Sequence, residues 1–503
     1  MAILTLLLGC NGGTSVFEDP ELGEYDAEYA VPVFTATYSL GKVLNDLELG
    51  TDIAILPDGS IELKYSGEFA GRSAQELFDI ITLALVPIEV IDTVQHVDYN
   101  IQGTYDIDFV HISSGNINMT FDSNFEEDLD VTVSIPQLMK DGDIFEYQFF
   151  VDYVGSTPVI TTLVGEPLSG YTLTAQEDTL LTVNYDARLP NGDRVLLDEF
   201  VIILTDLEYD YAEGFLGTEE YRIAADTVEI SFFNRWIDGS VYFDDPRVRL
   251  TALNSFGFPF DGKFIYMDVL TVEDGLLDVQ SPFIDGGVEI NFPNLDQVGE
   301  TVETVFDFNK DNSNLREVLG AGPLALYYDI DMIQNPDSAS QLRGFMTDSS
   351  DIRVRVEVDL PLVGVADHFL VRDTFDFNLE DLSERDIENI EFKFVSENEL
   401  PLTVISQGYF ADSDFQILDS LFETPNTIIQ GAPINAEGIS TDSVSETFFQ
   451  TLTEDQVNRI KTAKQLILNT TFVTSSTMET LPVRILSDQE VNLRMGAKFR
   501  IKK

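Results

Sequence analysis

The chain has 503 residues, of which 89 are Asp or Glu and 28 are Lys or Arg, a formal charge of −61. Phosphate backbones are held by clustered bases, so this balance excludes a nucleic-acid partner. The acids are interspersed with a 44% hydrophobic and 11% aromatic content, which excludes disorder and supplies core material for about three domains. The acidity itself has three readings: solubility on a crowded surface or in a saline habitat, calcium held by carboxylate loops, or a cationic partner.

In chain order, Ala2 to Leu8 is apolar apart from Thr5, Gly9 is small, and Cys10 is the only cysteine. A polar, flexible Asn11-Gly12-Gly13-Thr14-Ser15 follows. The stretch Leu7-Leu8-Gly9-Cys10 resembles a bacterial lipobox. That resemblance implies that Cys10 is diacylated, becomes the mature N-terminus and anchors the protein in a membrane, two or more acyl chains being needed for firm attachment. The bland reading is a buried N-terminal strand with a core cysteine. No Lys or Arg precedes the apolar run, so the true translation start is expected upstream. The strongest other apolar stretch, ELFDIITLALVPIEVI, is broken by Asp79, Pro87 and Glu89, so the expectation is a protein that is anchored and does not span. The first acids after Cys10 are Glu18 and Asp19, too far along to match an acidic surface-export signal, which leaves the membrane face open.

The organisation expected is a signal segment at 1–10, an acidic tether at 11–30, a β-rich domain at 31–225, a central β-sandwich at 226–310, and a C-terminal β-sandwich region at 311–503. From Val31 onward period-2 segments such as SIELKYSG, YDIDFVHI, DVTVSI and RVRVEVDL alternate with turn signals such as PDGS and PNGD. That pattern predicts a mainly β fold: tandem β-sandwich domains in an elongated arrangement, with few short helices. Helices are predicted near Ala74 to Leu85, near Asn314 to Leu319, and in TEDQVNRIKTAKQL. In the last, Thr453 and Gln456 form a capping box, and Val457, Ile460 and Ala463 line one face. The end of the chain, NLRMGAKFRIKK (492–503), carries five bases and no acid and alternates as a half-buried strand. Its basic face neutralises neighbouring acids or, on a minority reading, meets a membrane.

Two segments share a plan: NSFGFPFDGKFIYMDVLTVEDG (254–275) and ENELPLTVISQGYFADSD (397–414). Each has a polar start with Asn, a large apolar residue before Pro, a strand, and an acidic turn. LDVTVSIPQL (129–138) and VRVEVDLPLV (354–363) form a looser pair. The plan resembles the sandwich domains of the LEA14/WHy group, whose strands enter through an Asn-Pro-type corner. Over most of the chain, runs such as DPRVRLTALNSFGFP, NSNLREVLGAGPLALYYDIDMIQNPD and PVRILSDQEVNLRMGAKFRI are similar to a family of uncharacterised, lipobox-bearing envelope lipoproteins of Bacteroidota. The resemblance implies location and architecture but no catalytic site. It also implies candidate O-glycosylation at Asp-Ser/Thr-apolar tripeptides, here Thr93, Thr179, Thr227, Ser338, Ser420 and Ser443.

Chemistry-bearing patterns are sparse. The three histidines, His96, His111 and His368, are too few for a base at a nucleophile or for a zinc site, and no nucleotide fingerprint occurs. DFNKDNSNLRE (307–317) places Asp307, Asn309 and Asp311 with calcium-loop 1-3-5 spacing. However, Asn312 stands where Gly belongs and the closing acid, Glu317, falls one position early. A polar turn ahead of a helix is the competing reading. Asp244-Asp245 and Asp412/Asp414 are candidate carboxylate pairs, and YDYAEGF (209–215) and FFNRW (232–236) are candidate stacking aromatics. The leading expectation is a non-enzymatic outer-membrane lipoprotein acting as scaffold, adhesin or accessory subunit of an envelope assembly. Its partners are the membrane, through the lipid anchor, and an envelope protein complex. No cofactor is expected, calcium being the one exception the acids leave open. The alternative is a lipid- or glycan-binding carrier, which needs an apolar pocket of about 300 Å³ or more. A hydrolase ranks third.

Overall fold

The computed structural model describes residues 28–39, 52–83, 87–98, 105–175, 179–222, 225–231, 236–272, 274–320, 322–377, 387–478 and 480–501. Cys10, the tether before residue 28 and Phe232 to Arg235 lie outside them. The architecture is mainly β: antiparallel strands fill five sheets, with four short α-helices among the described residues.

The chain starts in the unit that it also ends in. Strand β1 (Glu28–Ser39) is an edge strand of the last sandwich. The next long strand, β2 (Ile61–Ser73), lies on the middle sandwich and leads into α1 (Ala74–Leu83). An N-terminal lobe follows, an 11-stranded sheet that includes β3 (Tyr105–Ser123), β4 (Leu129–Lys140), β5 (Thr179–Arg188) and β6 (Asp198–Leu216). Strands β3 and β6 are 19 residues each and pair through several register irregularities, which bend and coil a strand. Alternation decides which face is buried: along β4, Leu129, Val131, Val133 and Ile135 are buried and the residues between them are not.

The chain then crosses itself. Strand β7 (Trp236–Phe243) pairs with the last sandwich, and β8 (Arg247–Asn254) and β9 (Phe260–Thr271) return to the middle one. The middle sandwich continues through α2 (Pro282–Gly286), β10 (Val288–Ile290), β11 (Val302–Phe308), α3 (Leu315–Val318) and β12 (Pro323–Gln334). Short β13 (Gly344–Thr347) pairs with β6 of the lobe before β14 (Asp351–Pro361) closes the middle sheet. The last sandwich is β15 (Val363–Asp376), β16 (Ile387–Asn398), β17 (Leu402–Ala411), β18 (Ile417–Ser420), β19 (Asn426–Ile429), β20 (Val444–Thr453), α4 (Glu454–Ile460), β21 (Gln465–Thr474) and β22 (Glu490–Ile501). The sheets therefore join segments from either side of 225/226 and of 310/311: β8 pairs β14, and β14 pairs β2.

The middle and last sandwiches share one topology. Strand β8 pairs β11 and β14, as β16 pairs β20 and β22. In the facing sheets β9 pairs β10 and β12, as β17 pairs β19 and β21. Each first sheet takes a strand from the N-terminal part of the chain on the same side, β2 on β14 and β1 on β22. A helix follows the other edge strand in both, α3 after β11 and α4 after β20.

The duplicated corner is built on one fully buried asparagine in each unit, Asn254 and Asn398. Asn254 Oδ1 accepts the Phe256 N–H, and its Nδ2 donates to the carbonyls of Phe258 and Asn291. Asn398 Oδ1 accepts the Leu400 N–H, and its Nδ2 donates to the carbonyls of Leu400, Leu402 and Gln430. Asn291 directly follows β10 and Gln430 directly follows β19, so the same three places in the fold are tied. A strand leaving its sheet exposes backbone groups to a dry interior, where each unpaired group costs about 1–3 kcal/mol. One amide side chain, donor and acceptor at once, satisfies several of them.

The predicted helices are present. In α4, Thr453 accepts the Gln456 N–H while Gln456 Oε1 accepts the Thr453 N–H, and Val457, Ile460 and Ala463 are buried. Asn314 stands at the α3 N-terminus but makes no side-chain cap there; its Oδ1 instead accepts the Gln280 N–H. Helix α2 was not predicted, since its five residues form one capped turn, with Ser281 accepting the Phe283 N–H and Pro282 in the first turn. In β22, Val491, Leu493 and Ala497 are buried, and Arg494, Lys498 and Arg500 are not. Lys498 faces Glu391 across the ladder and Arg500 lies 3.9 Å from Glu388, so this basic face does meet neighbouring acids.

Two joints connect the units. At the corner end of the middle sandwich, Phe345 of β13 packs beneath Gly257, where an added Cβ would stand 2.2 Å from the ring. Buried Arg72 donates there to Glu219 at 2.6 Å, and Tyr105 donates to the same carboxylate at 3.2 Å. Burial, and then the Glu219 charge, push Tyr105 up to about 12 against the opposing pull of Arg72. At the opposite end, Leu362 N–H donates to Ile61 O and Ile485 N–H donates to Leu362 O. Lys64 lies 2.9 Å from buried Asp359 and 3.1 Å from buried Glu62 beside this joint.

Candidate functional site

The calcium-spaced residues form a self-contained turn. Asp307, next to last in β11, has its carboxylate 2.8 Å from Arg249 on β8. Asn309 Oδ1 accepts the Asp311 N–H, Asn312 Oδ1 accepts the Asn309 N–H, and Asn312 Nδ2 donates to Asp307 O. Two of the three predicted donors, Asp307 and Asn309, are thus committed within the protein. Among the described residues no group of three or more His, Cys, Asp or Glu side chains could hold a metal ion.

The histidines sit apart on three β-strands, His96 and His111 in the lobe sheet and His368 on β15 of the last sandwich. His96 Nδ1 lies 3.1 Å from Thr182 Oγ1, His111 pairs with Asp210 across the β3–β6 ladder, and His368 lies 2.6 Å from Asp367. Thr182 is itself bound by both ends of Gln137, which ties it into the lobe wall. The paired acids are also structural. Asp244 binds Arg316 of α3 at 2.6 Å, and Asp245 binds Arg247. Asp412 Oδ1 accepts the N–H groups of Asp414 and Gln416 in the β17–β18 turn.

The carboxylates with raised proton affinity are ones the sequence did not single out, Asp261 and Asp268 on β9. Burial, and then the facing Glu289 and Asp278 respectively, hold them above the usual range. Only the strand register brings these like charges opposite one another, so nothing along the chain signals it. In the aromatic stretch 209–215, Tyr209 and Phe215 are buried. Tyr211 stacks on Phe109 at 5.6 Å and on buried Phe345 at 6.3 Å, and donates to Glu213 at 2.9 Å. Burial and that carboxylate push the Tyr211 hydroxyl well up. These rings brace the lobe joint.

An apolar crevice lies between the two sheets of the middle sandwich, lined by Leu250, Phe264, Ile290, Phe306, Ile330 and Met332 among others. Its volume is about 10 Å³, room for one water at most, far below what a lipid or glycan carrier needs. Of the candidate glycosylation residues, Ser338 and Ser443 are exposed and Thr93, Thr227 and Ser420 half-buried; Thr179 opens β5 with its side chain outside the described set. At Thr93, Thr227, Ser420 and Ser443 the preceding aspartate accepts the residue's own N–H.

The two ends of the last sandwich differ. The registers gather Asn398, Val444, Glu490 and Leu402 at the end joined to the middle sandwich. At the outer end they gather Glu28, Arg500, Asn389, Thr453, Gln465 and Ala411, with α4 spanning the two sheets. The chain thus enters the described structure at the end farthest from the lobe. No described helix is long and apolar enough to cross a membrane.

No protein-family model and no curated protein matches the chain. Among solved structures it is similar to a presumed secreted protein of Parabacteroides distasonis, a member of the Bacteroidota, at 12% identity and TM-score 0.28, covering 94% of this chain and 99% of that one. It is also similar to a structure of infectious bursal disease virus Gt strain (7% identity, TM-score 0.14, 99% and 86% covered) and to the cowpea mosaic virus empty particle (8% identity, TM-score 0.12, 55% and 88% covered). Likenesses this faint assign no activity.

Proposed function

We propose that this chain is a non-enzymatic lipoprotein of a bacterial outer membrane, of the lipobox-bearing Bacteroidota kind, held by acylated Cys10 and serving as scaffold or accessory subunit of an envelope assembly. One observation supports the reading above others: the chain passes from residue 28 into the outer end of the last sandwich, with the N-terminal lobe two units away. An anchor at Cys10 in that topology holds the lobe out from the bilayer, where it can meet a partner. The described crevice of the middle sandwich, about 10 Å³, leaves no room there for a carried lipid or glycan.

The test is in two parts. Cys10→Ser is expected to release the protein from membranes, and its retention there would contradict the anchor. Crosslinking in the native envelope is expected to recover a stoichiometric membrane or surface protein. Recovery of lipid or glycan without protein would replace the scaffold reading with a carrier.

A further inference from the structure

Away from its joint to the middle sandwich, the lobe divides into two layers. In one, β3 pairs β6 and the strand Val159–Pro167, and β6 pairs Ile88–Val90. In the other, β4 pairs β5 and Asp143–Val151, and β5 pairs Val94–Asp98. Phe121 meets Phe149 at 5.2 Å and Phe200 meets Tyr185 at 5.6 Å, both edge to face, which fills the space between the layers. Tyr105 pairs with Leu216 at the joint, whereas Ser123 pairs with Val159, Leu129 with Val151 and Phe200 with Val90 at the far end. Four connections therefore gather at that far end: residues 91–93, 124–128, 152–158 and 189–197.

Hydrogen bonds tie these connections into one surface. Asp128 Oδ1 accepts the Tyr153 N–H at 2.8 Å, and Asn124 donates to Asp198 at 2.9 Å. The Tyr185 N–H donates to Thr93 O while its hydroxyl accepts the Leu197 N–H. Loops held this way on a rigid sandwich are where binding residues collect.

The surface is apolar where solvent would favour polar residues. Among the described large apolar side chains the five most exposed are Ile91 (80%), Val164 (76%), Val154 (75%), Phe150 (73%) and Ile160 (65%). All five belong to the lobe, and all but Val164 stand at its far end. Val164 continues the patch along Val159–Pro167, which among the described residues pairs on one side only, with β3. From Val159 to Gly165 that strand has no charge and no proline, two of the devices that close an edge to other chains. Exposed apolar side chains gathered in this way mark an interaction site.

The charge around the patch has one sign. Residues 124–130 hold four acids, and Asp152, Asp198 and Glu199 stand on the other connections. The bases of these segments, Arg188 and Arg194, are both spent on Asp186 at 2.8 Å. Elsewhere acids meet bases: Asp106, Asp244 and Asp419 each lie 2.6–2.7 Å from an arginine. A second copy of this surface, or an anionic bilayer, would bring like charges together. A polypeptide with a basic rim around an apolar centre would not, and it could use the open strand edge through its main chain.

We propose that the far end of the lobe is a docking surface for a protein partner that is basic around an apolar centre, with Phe150, Val154 and Ile160 buried on binding. The inference deepens the accessory-subunit reading by giving the partner its chemistry and its place, and rests on that reading for there being a partner in the envelope.

The test pans a phage-displayed library of random peptides on the purified full chain carrying Cys10→Ser, with subtraction on the same chain carrying Phe150→Ser and Val154→Ser. Both positions are exposed, so an unchanged Tm is expected to show that the subtracting protein is folded. Enriched peptides are expected to mix Lys or Arg with Leu, Phe or Trp. Their affinity should fall roughly tenfold or more on the double variant, fall again for Glu126→Lys with Asp152→Lys, and weaken as salt rises. Peptides without bases, binding indifferent to salt or to the acid replacements, or no peptide that separates the two proteins would each overturn the proposal. This result comes from purified protein and the crosslinking result from the native envelope, so the surface and the accessory-subunit reading can fail separately.

Discussion

The middle and last sandwiches carry the same strand pairings and the same buried asparagine, yet their surroundings have little in common. The middle unit is gripped at both ends: Tyr105 and Phe345 lock it to the lobe, and Lys64 with Asp359 flanks its joint to the last unit. The last unit is gripped at one end, and its outer end holds the chain entrance, a short capped helix and a strained, exposed phenylalanine. One topology has been placed in two mechanical roles, a linker and a terminus. The difference teaches that the corner asparagine specifies the sandwich, while the residues at its ends specify what the sandwich is for.

The largest expected effect tests the shared part. Asn398→Ala and Asn254→Ala should each destabilise by roughly 2–5 kcal/mol in urea unfolding, because buried carbonyls and an N–H lose their partner together. Asn398, which donates to three carbonyls against two for Asn254, should be at least as costly. A negligible effect at either would break the equivalence of the corners. Next, Gly257→Ala should cost about 1–3 kcal/mol by overpacking the Phe345 ring, with proteolysis of the lobe joint accelerated. The last sandwich turns its corner two residues sooner, from Asn398 to Leu402 rather than Asn254 to Phe260, and offers no counterpart site.

A smaller change has the opposite sign. Phe415 holds a left-handed backbone (φ +61°) in the Asp412–Gln416 turn, at the place Gly192 takes in the Leu189–Asp193 turn. Phe415→Gly should stabilise by about 1 kcal/mol by removing left-handed strain. The reciprocal Gly192→Phe, where a Cβ meets open space at φ +90°, should lose a similar amount in the same thermal melts. The smallest effect concerns the joint between the two sandwiches. Burial lowers the proton affinity of Lys64, but hydrogen bonds to Asp359 and Glu62 outweigh it and hold the ammonium above its usual value. A group with a raised folded pKa contributes fully below its unfolded value and less as pH climbs through the folded one. The Tm difference between the unaltered chain and Lys64→Met should therefore persist up to about pH 10.5, the Lys reference, and shrink above it. A difference that is flat into the alkaline range would mean that the ion pair does not support the joint.

Much of this was legible locally. Alternation in DVTVSI or RVRVEVDL predicts strands because one sheet face is buried, and the capping box of α4 lies within four residues. The repeat was visible because Asn, an apolar residue and Pro recur on a corner that is short in sequence. Pairings such as β1 with β22, from opposite ends of the chain, were not, since any alternating strand is chemically competent to pair with any other. The site was less legible than the fold. Asp307 looked like a ligand until Arg249 came opposite it across the ladder. Phe415 gave no signal, because ADSDFQI contains no glycine to mark a left-handed turn. The raised carboxylates Asp261 and Asp268 depend wholly on register.

The most direct test of the account is a membrane-proximity measurement on the chain carrying the proposed lipid anchor at Cys10. Spin labels would be placed at exposed Ser413, beside Phe415, and at exposed Ser156 in the lobe, each through a cysteine substitution, in bilayers bearing a nickel-chelating lipid. The account predicts strong relaxation of the Ser413 label and little at Ser156. Equal relaxation, or the reverse order, would contradict the claim that the last sandwich faces the membrane and holds the lobe away from it.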